Sequence, residues 1–286
     1  MHIPITGLAT SHTIRAVNSP YLELETVRAE HQDGAMTIEL NRPHALNAWN
    51  RQFGEELLAM LRKAADDEAV RAVRIVGAGR AFSSGADLKD VSNDDLTPDG
   101  KPNVYKRLTE IYHPVMLAIR AMPKPVVAAV NGPAVGIGCS LALCCDLVIA
   151  VESAYFLLAF VNIGLVADGG SSVFVPARVG VARAAEMALL GERVSAGKAL
   201  EWGLVNEVCS DESFMQRSAE LTLRLAGGAT RAYAATKREL NERAYAGMAE
   251  QLELGARLQQ EMVGTADFVE GVTAFLQKRP AVFSGR

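Results

Sequence analysis

Apolar and polar positions alternate over residues 21–27 and again over 35–40, the period of half-buried strands. Asp33-Gly34 between them is a turn signal, so the two runs predict a hairpin, which Asn41-Arg42-Pro43 ends. The spacing changes over residues 49–65, where Phe53, Leu57, Leu58, Met60 and Leu61 recur as on one face of a helix. Residues 70–76 predict a strand. Residues 91–102 gather Asp, Asn, Pro and Gly and predict a loop. An amphipathic helix is predicted over 105–122, closed by Pro123 and Pro125. Residues 126–130 predict a buried strand, 137–144 a short helix and 146–151 another strand.

Strand, bend and helix thus recur in one order, which predicts an α/β fold. After Ser171 the pattern is helical almost throughout. The apolar faces of 208–286 exceed what one small helical lobe buries, which predicts packing on another subunit. Residues 1–20 mix Thr, Ser, Pro and Gly without period and read as a loosely ordered extension. The expected division is therefore an extension at 1–20, a core at 21–207 and a helical region at 208–286.

Composition adds exclusions. The chain has 286 residues, 49% hydrophobic and 22% charged, enough to build a core without staples. A net charge of −4 without a basic stripe argues against a nucleic-acid partner. No apolar run approaches the roughly 18 residues of a membrane helix, and no signal peptide is evident. Cys139, Cys144, Cys145 and Cys209 form no CxxC pair and read as reduced core residues of a cytoplasmic protein. His31, His44 and His113 lack metal-ligand spacing.

The candidate chemistry lies in two glycine-rich bends that follow apolar strands. One is Ala81-Phe82-Ser83-Ser84-Gly85-Ala86-Asp87-Leu88-Lys89; the other is Asn131-Gly132-Pro133-Ala134-Val135-Gly136-Ile137-Gly138-Cys139-Ser140. Two backbone N–H groups converging from such bends make a hole for a developing oxyanion. Gly77-Ala78-Gly79 is no dinucleotide fingerprint, because Phe82 stands at its third glycine position. Ser83 and Ser84 sit in no GxSxG elbow. Asp168, before Gly169-Gly170-Ser171, reads either as a helix cap or as an acid–base group.

With these bends the chain resembles the crotonase superfamily, the enoyl-CoA hydratase/isomerase group. Further matching stretches are Asn41-Arg42-Pro43 with Ala45-Leu46-Asn47-Ala48, Lys124-Pro125-Val126 through Asn131-Gly132, Cys145-Asp146-Leu147-Val148-Ile149-Ala150, and Phe160-Val161-Asn162-Ile163-Gly164-Leu165 through Gly170. The resemblance implies a spiral of repeated ββα units with a C-terminal helical trimerisation region, assembled as a homotrimer or hexamer. It implies an acyl-CoA thioester substrate and no metal, with coenzyme A part of the substrate and no separate cofactor. The oxyanion N–H groups carry over to Ala86 and Ile137. Substrate and CoA contacts carry over to Ala45, Ser84, Gly85, Asp87, Leu88, Lys89, Gly136, Ser140 and Phe160, and to Phe275 and Lys278 near the C-terminus.

Ser140 and Phe160 stand where the hydratases of the family carry two water-activating glutamates, so the two-carboxylate site is absent. Asp168 matches the catalytic aspartate of isomerase-type relatives, and one carboxylate is enough to move a proton within a substrate. The expected activity is therefore a 3-enoyl-CoA to 2-enoyl-CoA shift. The alternatives are 2-enoyl-CoA hydration, with Asp168 alone or an acid among Asp94, Asp95 and Asp99, and a catalytically silent CoA-binding subunit. Phe160, Val161 and Leu165 are expected to form an apolar pocket that raises the Asp168 pKa. Asp87 is expected to cap a helix carrying Lys89, and Ser140 to serve as pocket wall or helix hydrogen-bonder.

Overall fold

The computed structural model describes residues 24–89 and 96–286. The first strand, β1, is Val27–Gln32 and pairs antiparallel with β2, Ala35–Leu40. It starts later than the alternation at 21–27 implies; residues 21–23 lie outside the described residues, as does the extension at 1–20. The turn sets this register. Asp33 (φ 50°) and Gly34 (φ 82°) form a two-residue connection with both φ positive, so the strands close directly on it at Gln32 and Ala35.

Helix α1, Arg51–Asp66, is capped by Asn50, whose side chain accepts from the Phe53 N–H, and it buries Phe53, Leu57, Met60 and Leu61 as its spacing predicts. Strand β3 is Ala72–Gly77. The predicted helix at 105–122 is broken into α2, Val104–Arg107, a π turn at Leu108–Tyr112, and α3, His113–Ala121. Pro114 supplies the reason, since it has no N–H to close a regular turn. Next come β4, Val126–Val130, β5, Ala134–Val135, α4, Ile137–Cys144, β6, Leu147–Val151, and β7, Tyr155–Leu157. Helix α5, Ser171–Leu190, bends at Gly180; β8, Val194–Ser195, α6, Ala196–Glu201, and β9, Glu207–Cys209, follow. The chain ends in α7, Phe214–Ala226, α8, Thr230–Ala244, α9, Met248–Val263, and α10, Ala266–Gln277.

The main sheet has the order β1-β2-β3-β4-β6-β9, parallel from β2 onward. Strands β3 and β4 are buried at every residue, as parallel strands covered on both faces must be. The last strand of this sheet, β9, ends at Cys209. Strands β5, β7 and β8 form a second, smaller sheet. This is the mixed α/β architecture expected, with helices dominating the C-terminal third. Cys139, Cys144 and Cys145 are buried free thiols and Cys209 is half-buried; burial pushes Cys139 and Cys144 up to about 12. Among the described residues no helix is long and apolar enough to cross a membrane.

Candidate functional site

Strands β3 and β4 lie side by side and parallel, so their carboxyl ends deliver both bends to one place, where open α/β sheets leave a crevice. The bends are stitched together. The N–H groups of Phe82 and Ser83 both donate to the Pro133 carbonyl at 3.1 Å, and Val135 N–H donates to the Ser83 carbonyl at 2.9 Å. Asn131 closes the upper edge, taking the Gly77 N–H on its Oδ1 and donating its Nδ2 to the Gly77 and Gly79 carbonyls.

Asn47 braces the first bend from below. It is fully buried, holds a left-handed backbone (φ 55°) and donates Nδ2 to the carbonyls of Ala78 and Ala81 at 2.9 and 2.8 Å. Its own carbonyl accepts from the Ser83 hydroxyl, which in turn accepts the Gly85 N–H at 3.3 Å. The neighbouring peptides are also spoken for: Trp49 N–H donates to the Gly85 carbonyl, and Asp87 N–H donates to the Trp49 carbonyl. Among the described residues the Ala86 N–H, between these bonded groups, donates to no protein acceptor.

The second bend leads from β5 into α4. Gly136 adopts φ 53°, ψ −125°, a conformation open to glycine alone, and its N–H donates to the Leu157 carbonyl. Ile137 then opens α4, and no side chain caps that helix. Its first N–H groups have no partner within the helix, and the positive end of the helix dipole gathers there. The two bends touch: a Cβ on Gly85 would lie 3.0 Å from the Val135 carbonyl oxygen and 3.8 Å from the Gly136 Cα. The unbonded N–H groups of Ala86 and Ile137 therefore sit on adjoining, mutually braced bends. Chemically this is a pair of fixed donors able to receive an oxyanion.

Phe160 is buried with its ring against Gly136, where a Cβ would lie 3.8 Å from the Phe160 Cζ. Ser140 is fully buried on α4; its hydroxyl lies 2.7 Å from the Ser171 Oγ and 3.0 Å from the Asp168 carbonyl oxygen. Those bonds tie α4 to the start of α5 and fit the expected helix hydrogen-bonder. Gly169 presses on α4 directly, since a Cβ there would come within 2.3 Å of the Ile137 Cδ1. Asp168 is thus brought beside the opening of α4.

Asp168 does not cap α5. Gly170 is at the cap position without a side-chain bond, and only the Asp168 carbonyl receives the Ser171 N–H and hydroxyl. The carboxyl Oδ2 accepts from Gln259 Nε2 at 3.2 Å, and Oδ1 is buried with no hydrogen-bond partner among the described residues. Burial pushes this carboxyl up to about 8. The direction is the expected one, but Val161 turns elsewhere, toward Gly191, and α9 reaches the carboxyl through Gln259.

Ala45 ends a short 3-10 turn, Pro43–Ala45, and its carbonyl accepts from the Ser84 hydroxyl at 3.3 Å. Asp87 corrects one expectation. Its Oδ1 accepts the Lys89 N–H two residues on, closing an Asx turn, and its Oδ2 pairs with Arg42 at 3.1 Å; Lys89 stands exposed in that turn, not in a helix. Leu88 is half-buried beside it. Phe275 and Lys278 lie exposed at the end of α10, whose contacts are with residues 161–163 and α9, so within one chain they are not brought to the bends. Asp94 and Asp95 lie outside the described residues. Asp99 is exposed, and the Thr97 hydroxyl holds its carboxyl below the usual range, which disfavours it as a proton donor.

Two residues escaped the sequence reading. Asn47 carried a signal, since asparagine tolerates the left-handed backbone between Ala45-Leu46 and Ala48. Gln259 carried another: Leu252, Ala256, Gln259 and Val263 recur at helical spacing on the buried face of α9, and one of the four is polar.

The family model described as enoyl-CoA hydratase/isomerase matches residues 30–286. A Rhodobacter capsulatus protein named "Probable enoyl-CoA hydratase" is 42% identical over 93% of this chain and all of its own length. The 1,2-epoxyphenylacetyl-CoA isomerase of Escherichia coli is 36% identical over 92% of this chain and all of its own. A crystal structure of an enoyl-CoA hydratase from Mycobacterium avium subsp. paratuberculosis superposes with a TM-score of 0.82 at 38% identity, over 92% of this chain and 100% of that one. Fold, paired bends and full-length matches agree: the chain belongs to the enoyl-CoA hydratase/isomerase family.

Proposed function

We propose that this protein shifts a double bond in an acyl-CoA thioester, from the 3-enoyl to the 2-enoyl position. The observation that carries the reading is the buried carboxyl of Asp168, whose Oδ1 has no hydrogen-bond partner among the described residues and whose neighbour Gly169 presses on Ile137 at the opening of α4. Ser140 and Phe160 occupy the neighbouring positions and neither is a carboxylate. In this reading ionised Asp168 takes a proton from C2, and the C–H electrons move into a dienolate. The N–H groups of Ala86 and Ile137 receive the thioester oxygen as it gains charge. The same carboxyl then delivers its proton to C4, leaving the double bond between C2 and C3 and the carboxylate restored. Ala45, Ser84, Gly85, Asp87, Leu88 and Lys89 would line the path of the CoA moiety. Phe275 and Lys278 would meet CoA from a neighbouring subunit. Exposed Val269, Phe275, Leu276 and Phe283 support a homotrimer or hexamer, and the free thiols support activity in the reducing cytoplasm.

Hydration of a 2-enoyl-CoA is the second reading, favoured by relatives named hydratases. Following the conjugated enoyl-thioester absorbance separates the two. A rise with a 3-enoyl-CoA and no decay of the matching 2-enoyl-CoA is the expected result. Decay of the 2-enoyl substrate to a hydroxyacyl product means hydratase, and silence toward both while CoA esters still bind means a binding subunit.

Gly136→Ala tests the hole without touching Asp168. A Cβ there meets only ordinary contacts, so its cost is the backbone conformation, about 1–3 kcal/mol. Relaxing that strain turns the peptide that presents the Ile137 N–H. The expected outcome is a kcat lowered by roughly 10²–10³-fold, measured by steady-state kinetics well below the melting temperature. Unchanged kcat would remove the Ile137 N–H from the chemistry.

A further inference from the structure

Among the described residues one side chain holds the Asp168 carboxyl, and it comes from 91 residues further along the chain. We propose that Gln259 is a positioning residue for Asp168, fixing which carboxyl oxygen carries the proton; this rests on the reading of Asp168 as the proton carrier.

The Gln259 amide has two hydrogens on Nε2. One goes to the Val166 carbonyl and the other to Asp168 Oδ2. Reversing the amide would aim its oxygen at both a carbonyl and a carboxyl, acceptor against acceptor, so its orientation is determined by its partners. Oδ2 therefore receives a donor whichever state the carboxyl is in. The titrating proton is directed to Oδ1, the oxygen that is buried without a protein partner. A carboxyl that takes a proton from C2 and returns it at C4 must keep one oxygen facing both carbons, and a bond to the other oxygen opposes rotation about Cβ–Cγ.

The backbone of Gln259 is equally constrained. It is fully buried between Ala256 and Val263 on α9, and α9 packs on α2, on α5 and on residues 108–112. A glutamine in an otherwise apolar seam costs desolvation, and Gln259 Oε1 recovers none of it among the described residues. Its two donated bonds are the return, and both end on the segment 166–168.

The test uses the full-length protein and compares Gln259→Met and Gln259→Glu with wild type, on the 3-enoyl-CoA substrate. Methionine keeps the length and removes the donor. Its expected effect is a kcat lowered about 10-fold to 100-fold, with KM little changed. The rising limb of the kcat/KM profile moves to higher pH, because the carboxylate loses the hydrogen bond that favoured it. Glutamate sets a second acid against Oδ2 and is expected to move that limb further in the same direction. It also keeps the test alive if the methionine variant does not fold. A lower melting temperature with kcat and the pH limb unmoved would reduce Gln259 to a packing role and overturn the proposal. Asp168→Asn, run alongside, separates the two ideas. If Asp168→Asn is inactive and both Gln259 variants behave as wild type, only the positioning role falls. If Asp168→Asn keeps full activity, the proton-carrier reading falls and this one falls with it.

Discussion

Asp168→Asn is expected to lower isomerase kcat by roughly 10²–10⁴-fold, the usual contribution of a positioned acid–base group, while making the protein harder to unfold at alkaline pH. Both effects have one cause. Burial raises the Asp168 carboxyl to about 8 from an ordinary value of 3.8, so the folded protein keeps a proton that the unfolded chain releases. The associated stability is fully present below the unfolded value and is lost as pH rises through about 8. Asparagine has the same shape and no charge to bury. Its melting temperature should therefore gain on wild type steadily between about pH 4 and pH 8, with the difference constant above that. Activity runs the other way. The base is the ionised carboxylate, so wild-type kcat/KM should climb with pH and level off above about 8. Kinetics and thermal melts over the same pH series make the check. A wild-type profile flat from pH 6 to 9, or a melting difference that does not grow with pH, would mean that Asp168 does not titrate there.

The parts of this site legible in the sequence are those made by local chain geometry. A glycine after a run such as Val126-Val127-Ala128-Ala129-Val130 marks where a buried parallel strand must turn, and β4 and its bend fall there. Ile137 as the first residue of α4 followed from the same pattern. The failures are contacts between distant segments. Asp168-Gly169-Gly170-Ser171 reads locally as a helix cap, and only the approach of α9 shows the carboxyl turned to Gln259 instead. Asp87 reads as a cap because its pairing with Arg42 spans 45 residues. The π turn at Leu108–Tyr112 was foreshadowed by Pro114, but its apolar positions keep a helical period that hides the extra residue. Gln259 escapes notice because a polar residue on an amphipathic helix is ordinarily solvated.

The second large effect lies at the opposite end of the sheet. Asp146 precedes β6 and gathers three donors: Arg120 at 2.9 Å on Oδ1, and on Oδ2 Lys237 at 2.8 Å with the Val126 N–H also at 2.8 Å. Lys237 Nζ also donates to the Ile119 and Lys124 carbonyls, and Arg120 Nη1 to the Cys144 carbonyl. Arg120 and Lys237 are both more than nine-tenths buried, and this cluster fastens α8 and α3 to the amino ends of β4 and β6. Burial pulls Lys237 below the usual lysine range and Asp146 pulls it back up, so the charge on Lys237 depends on its partner. Asp146→Ala leaves two buried cations without their anion and should cost about 3–5 kcal/mol of stability. Lys237→Met should cost less, because Asp146 keeps Arg120 and the Val126 N–H. In Asp146→Ala combined with Lys237→Met the losses should fall short of their sum, since the second change removes a charge the first has orphaned. Denaturant unfolding of the four proteins makes the check, and additive losses would mean the pair is not coupled. Because the bends are at the carboxyl ends of β3 and β4, kcat of folded Asp146→Ala should match wild type at low temperature. A kcat loss equal to the stability loss would instead mean that strain at the amino ends of β4 and β6 reaches the oxyanion donors through the sheet.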